Sequence, residues 1–295
     1  MVRKVLKWTG IVLGCFVLLL IAAYVVVYFK TESRINKTYT VNVQKIAVTQ
    51  SAEALAQGEH LVQIKGCREC HGEDLGGKVF IDDPQLGRLV GANLTQGRGG
   101  IMREYTKADL TRALKHGVRK DGKSVILMPS DEYNALSVED MGALMSYLKS
   151  LRPVDRELPE NEIKPLLRVL TFLDKFPLLP AERVDHSKQS LATIKSEISA
   201  NYGQYVAAGC VGCHRTNYKG GEALVPGSPP VPNITKTGNI GKWTEDQFIH
   251  TLRTGVTPEG KKMNPKNMPW TMTKEFTDNE IKSVYLFLKN LPEEG

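Results

Sequence analysis

The chain has almost no cysteine to spare. It holds five in 295 residues, and four of these sit inside two copies of one motif, C-x-x-C-H, at 67–71 and 210–214. The fifth, Cys15, lies in an apolar run. No pair is left to staple the fold by a disulfide. One-sided charge is scarce beyond the N-terminus. Residues 1–40 hold six Lys/Arg and one acid, residues 51–152 hold 14 of each sign, and residues 199–295 hold 11 basic and nine acidic. The formal net charge of +7 therefore comes mostly from the first 40 residues. No basic face with interleaved aromatics occurs in the remainder, so nucleic acid is not an expected partner. Alternating β-branched runs of strand length are also missing, so a sheet-based fold is not expected. With 41% apolar and 24% charged residues, gross disorder is excluded.

What is present begins with Trp8–Phe29, 22 residues without a charge. At ~1.5 Å per residue such a helix crosses a hydrocarbon core of roughly 30 Å. Trp8 and Tyr28 stand near its ends, where amphipathic rings favour the interface. A signal-peptide core is shorter and leads to small residues at a cleavage site. Here Lys30, Glu32 and Arg34 follow. Residues 1–35 are read as an uncleaved membrane anchor with its helix at about 8–29. Cys15 is read as a small lipid- or helix-facing residue, because the apolar run continues well past it. Arg3, Lys4 and Lys7 balance Lys30, Arg34 and Lys37, so charge alone does not orient the span.

The rest is one unit written twice. "GEHLVQIKGCRECHGEDLGG" from 58 matches "GQYVAAGCVGCHRTNYKGG" from 203, "ANLT" matches "PNIT", and "YTKADLTRALKHGV" matches "WTEDQFIHTLRTGV". "LMPS" matches "NMPW", and "LSVEDMGALMSYLKSL" matches "FTDNEIKSVYLFLKNL". A unit of about 95 residues repeated once is a domain duplication, not a solenoid of shorter period. Helix starts are legible at Thr106/Asp109, Thr244/Gln247, Ser137/Asp140 and Thr277/Glu280, and Gly117 and Gly255 stop the middle helices. Gly- and Pro-rich loops such as 221–233 join them. Loops of this length are expected where they wrap a bulky prosthetic group. The predicted fold is all-α: an N-terminal transmembrane helix and two tandem domains at 50–152 and 199–295, joined by a linker at 153–198. Within the linker, 153–165 is polar and Pro-punctuated. The apolar stretch 166–180 is read as a connector packed in the seam between domains, or else as a patch docking on a partner or the membrane.

C-x-x-C-H admits three chemistries. Structural zinc needs four ligands, usually two C-x-x-C knuckles about 15–20 residues apart, whereas each domain here has one. A redox dithiol belongs at a strand–helix turn of an α/β fold, which is not visible. Covalent haem accounts for every element: Cys67 and Cys70, like Cys210 and Cys213, attach the porphyrin, and His71 and His214 bind iron. Met128 and Met268 match between copies, each is followed by Pro, and they are the expected sixth ligands. His116 is the rival in the first copy; its counterpart is Thr254. Met141 and Met145 fall on the core stripe of the last helix. His60, His186 and His250 read as surface or partly packed residues.

These motifs resemble class I cytochrome c domains and, more narrowly, the cytochrome subunits of alcohol and gluconate dehydrogenases. The resemblance covers about residues 50–295. It implies two covalent haem c groups with His71/Met128 and His214/Met268 ligation, and electron relay in a periplasmic respiratory chain rather than catalysis. Expected partners are the membrane and redox proteins. A dehydrogenase or quinol-oxidising complex would donate, and an oxidase or soluble cytochrome would accept. Haem attachment occurs outside the cytoplasm, which places the N-terminus inside and the domains in the periplasm, on the inner membrane. Those subunits typically carry three haem domains; this chain has two motifs, and Ala92 stands where the family usually has Pro. A dihaem peroxidase is the alternative; it would need an open sixth site at one iron. Pyridine haemochrome quantification is expected to give two haems per chain, retained through acid–acetone extraction. One haem, or extractable haem, overturns the duplicated-site reading.

Overall fold

The computed structural model describes residues 1–223 and 228–292. Part of the loop at 221–233 therefore lies outside the described residues. Helix α1 (Val2–Ile35) is continuous and exceeds the expected 8–29 at both ends. Its flanking turns carry Lys, Arg and Glu and no Gly or Pro, so nothing stops the helix early. It is long and apolar enough to cross a membrane.

The first copy contains α2 (Ala52–Ile64), α3 (Cys67–His71), β1 (Lys78–Asp83), β2 (Gly87–Gly91), α4 (Lys107–His116), α5 (Ser130–Tyr133) and α6 (Val138–Ser150). β3 (Glu162–Ile163) and α7 (Pro165–Phe172) belong to the connector. The second copy contains α8 (Ala200–Val206), α9 (Val211–His214), α10 (Asn239–Lys242), α11 (Glu245–Thr254), α12 (Trp270–Thr273) and α13 (Asp278–Lys289). The all-α expectation needs correction here. The strands form an antiparallel sheet in the order β1-β2-β3. They escaped the pattern because β1 is bulged between Val79 and Ile81, β2 is short, and β3 comes from a stretch with linker composition.

Helix starts follow the expected chemistry. Thr106/Asp109, Thr244/Gln247 and Thr277/Glu280 are complete capping boxes. Ser137 accepts from the Asp140 amide, but the Asp140 carboxylate is used elsewhere. Gly117 and Gly255 end their helices at φ 65° and 71°, a left-handed turn open to glycine at little cost.

In each copy the first and last helices cross closely. A Cβ on Gly58 would lie 2.2 Å from the Ala143 carbonyl oxygen, and one on Gly203 would lie 1.9 Å from that of Ser283. The two crossings are the same contact made twice. Around them runs one apolar core that includes Leu61, Leu144 and Met145 in the first copy and Val206, Ile281 and Leu288 in the second.

The copies meet through the outer sides of these helix pairs. His60 Nε2 donates to Glu280 Oε1 at 2.9 Å, and Tyr205 OH donates to Asp140 Oδ2 at 2.5 Å. His60 and Tyr205 occupy matching places in the repeat, as do Asp140 and Glu280. The seam is therefore quasi-two-fold, like an isologous dimer within one chain.

The apolar stretch 166–180 does not fill that seam. α7 packs on α1, and Leu167, Leu178 and Leu179 form a second core with Leu89 of β2. The preceding polar stretch is a strap on the first copy: Arg156 pairs with Asp74 at 2.7 Å, and Asn93 Nδ2 donates to the Val154 carbonyl at 2.7 Å.

Replacing Gly58 or Gly203 by Ala tests the crossings. Helix propensity favours Ala by about 1 kcal/mol, but overpacking against rigid backbone costs typically 1–3 kcal/mol or more. The clash is expected to win, giving a net loss of roughly 1–2 kcal/mol as a lower denaturant midpoint at unchanged m-value. An unchanged or raised midpoint would mean that the helices separate freely.

Candidate functional site

The two C-x-x-C-H segments hang from the ends of α2 and α8. Gly66, at φ 65°, turns the chain into α3, and a 3₁₀ turn at Ala207–Cys210 leads into α9. His71 Nδ1 donates to the Ala92 carbonyl at 2.8 Å, and His214 Nδ1 donates to the Pro232 carbonyl at 2.9 Å. With Nδ1 carrying the proton, Nε2 carries the lone pair. Burial lowers both histidine pKa values, opposed by the carbonyl bond, and favours neutral rings. Ala92 delivers the same bond as Pro232, so the missing proline leaves this contact intact.

The carbonyls are presented by matched turns. Thr95 N–H donates to Asn93 Oδ1 at 2.9 Å, and Thr235 N–H donates to Asn233 Oδ1 at 2.8 Å. The repeated "ANLT" and "PNIT" are thus Asn-initiated turns behind the histidines.

The methionines sit on a second matched device. Pro129 (φ −77°, ψ 62°) and Pro269 (φ −76°, ψ 61°) each centre an inverse γ-turn. The turns close through Ser130 N–H to Met128 O at 2.8 Å and Trp270 N–H to Met268 O at 2.7 Å. The proline ring presets φ and gives up a donor the turn does not use. In the first copy the Leu127 N–H also donates to the Leu178 carbonyl at 2.9 Å, tying the methionine loop to the connector.

Cys67, Cys70, His71 and Met128 line one cavity of about 790 Å³. That volume lies in the range of sites for sizeable ligands, roughly 300–1,000 Å³. Its walls include Phe80 and Val90 from the hairpin, Leu110 and Leu114 from α4, and Leu144 and Leu148 from α6. An apolar slot with two thiols and an imidazole at one wall and a thioether on its lining fits haem. In the second copy Cys210 and Met268 both pack against the main core.

The alternatives lose ground on environment. Burial pushes the Cys67 and Cys210 thiols up to about 12. A redox dithiol needs the opposite, a stabilised thiolate, and among the described residues no group of three or more His, Cys, Asp or Glu is placed to hold a metal ion. His116 does not line the cavity. Its ring turns toward the connector, with Nδ1 3.2 Å from His186 Nδ1. Met141 and Met145 are buried core residues.

Two features escaped the sequence reading. His60, taken as a surface or partly packed residue, makes a seam contact. Glu132 lies over the opposite site: a Cβ on Gly212 would meet its Oε1 at 2.9 Å, and one on Gly209 its Oε2 at 3.3 Å. Its counterpart in the repeat is Met272, whose Sδ lies 3.0 Å from a Cβ placed on Gly66. Each copy thus reaches across to the other's C-x-x-C-H. Burial pushes the Glu132 carboxyl up to about 7; Asp131 adds to the rise, and Lys65 and Arg183 oppose it. The only signal in sequence was a Glu opposite a Met at one position of the repeat.

Residues 200–292 match the cytochrome c family, and residues 53–148 match subunit III of cbb3-type cytochrome c oxidase. Among individual proteins, the fructose dehydrogenase cytochrome subunit of Gluconobacter japonicus is 26% identical over 262 residues, covering 81% of this chain and 53% of that one. The alcohol dehydrogenase (quinone) cytochrome c subunit of Gluconobacter oxydans (strain 621H) is 24% identical, covering 81% and 55%. The gluconate 2-dehydrogenase cytochrome c subunit of Pantoea cypripedii is 24% identical, covering 85% and 63%. The chain spans little more than half the length of these relatives. It carries two cytochrome c domains and is homologous to the cytochrome subunits of fructose, alcohol and gluconate dehydrogenases.

Proposed function

We propose that this chain is a membrane-anchored dihaem cytochrome c that relays electrons between redox proteins of a periplasmic respiratory chain. The observation that carries the reading is the cavity lined by Cys67, Cys70, His71 and Met128, whose holding turns recur around His214 and Met268. In this reading Cys67/Cys70 and Cys210/Cys213 attach the haems, and His71/Met128 and His214/Met268 hold iron. Bound haem supplies a one-electron couple. The chain does the rest: it orients each imidazole through a backbone carbonyl, holds a thioether on a stiff turn and lines the slot with apolar side chains. α1 serves as a single-pass anchor with its N-terminus in the cytoplasm and both domains outside the inner membrane. A dehydrogenase or quinol-oxidising complex is the donor in this scheme, and an oxidase or soluble cytochrome the acceptor.

Two experiments test the scheme. Met128→Ala is expected to remove the sulfur-to-iron charge-transfer band of the first centre and lower its potential, and Met268→Ala to do so at the second. Each change should leave the other centre's band in place. A variant with an unaltered spectrum, or rapid peroxide turnover by the unsubstituted protein, replaces the relay with the peroxidase reading.

The second experiment concerns Glu132. The charged groups around it are Lys65, Asp131 and Arg183. Ionisation as pH rises through about 7 places a negative charge beside the second centre. A nearby anion favours the ferric state, so that centre's potential should fall across this pH window. Redox titration of Glu132→Gln is expected to show a shallower fall. An unchanged slope would assign the pH dependence to another group.

A further inference from the structure

The connector helix α7 docks where the uncharged run of α1 ends. Thr31, with no exposed surface, bonds the Val27 carbonyl at 2.7 Å and approaches the Arg168 carbonyl at 3.4 Å. Arg34 Nη1 donates to the Thr171 carbonyl at 2.8 Å. Arg168, the helix's single charged residue, is committed to α1: it lies 4.4 Å from the centroid of the Tyr28 ring and 2.9 Å from Glu32. Leu167 and Thr171 face inward and are buried.

The other side of α7 is apolar and uncovered. Leu166 is 40% exposed, Phe172 36% and Leu173 54%. These residues recur at helical spacing with half-buried Val169 and Leu170 between them. No charged side chain of α7 stands on this face; Lys164, which donates to the Pro84 carbonyl at 3.3 Å, and exposed Lys175 stand at either end, and Asp174 beside Leu173 pairs with Arg34 at 2.7 Å. A helix apolar on both faces is not a water-facing surface.

We propose that α7 is a second membrane contact, an interfacial helix whose Leu166/Phe172/Leu173 face lies in the headgroup–acyl boundary beside the exit of α1. The inference rests on the reading of α1 as a membrane span. Continuity decides the occupant. If lipid surrounds α1 up to Tyr28, the same layer reaches a helix whose Arg168 packs on that ring. Amphipathic helices with an apolar face and basic flanks bind in this layer. The first domain then stands on two points rather than one, and the Leu178–Leu127 bond extends that footing to its methionine loop.

The test uses the full haem-loaded chain in nanodiscs of phosphatidylcholine and phosphatidylglycerol. In a Cys15→Ser background, a nitroxide is attached at Phe172→Cys or Leu173→Cys, at Leu18→Cys within α1, and at Leu191→Cys on an exposed part of the connector. Power saturation compares collision with oxygen, which concentrates in lipid, and with a nickel chelate, which stays in water. The ratio at each position cancels relaxation by haem. Labels at 172 and 173 are expected to favour oxygen several-fold, as at 18, while 191 favours nickel. Nickel access at 172 and 173 equal to that at 191 overturns the proposal. So does shielding from both agents, which would mean a protein cover, either a second copy or a partner subunit. Nickel access at position 18 would instead refute the spanning helix itself, a distinct failure.

Discussion

Everything in each domain depends on one close crossing of two helices. Gly58 lets α2 touch the backbone of α6, and Gly203 does the same for α8 and α13. The crossing anchors the first helix, which ends six residues after Gly58 in α2 and three after Gly203 in α8, and the cysteine pair and histidine follow within a few residues. The other side of the same helix pair supplies the seam residues, so one contact sets both the site and its distance from its twin. A larger residue at either glycine would displace the site and the seam together, because close-packed interiors pass such a shift on rather than absorb it.

Much of this was legible because the chain was written twice. Thr106/Asp109, Thr244/Gln247 and Thr277/Glu280 are local signals, and the structure bears them out as complete caps. The cysteines, histidines and methionines stood out by pattern and pairing. Ser137/Asp140 shows where local reading stops: it looked like a fourth box, yet Asp140 turns to Tyr205 across the seam. Local spacing cannot reveal a partner on another helix. The hairpin was missed for a related reason. Its strands are held by pairing to each other and by Asn161, whose side chain accepts the Val90 amide at 2.8 Å, not by intrinsic alternation.

The connector shows how composition can mislead. Residues 153–165 have the polarity and prolines of a flexible tether, but Arg156, Asn161 and Glu162 are each held against the first copy. The apolar stretch after it looked suited to the gap between domains. It covers Leu89 and the foot of α1 instead.

In the proposed relay, a duplicated domain has a drawback for a wire. Two halves that were equal would give an electron no reason to prefer one over the other. Glu132 and Met272 break that equality at the position where each half touches its neighbour. An ionised carboxylate beside the second half raises the energy of an added electron there, while a thioether beside the first does not. This difference, placed across the seam rather than within either slot, would favour the added electron on the first half in that relay.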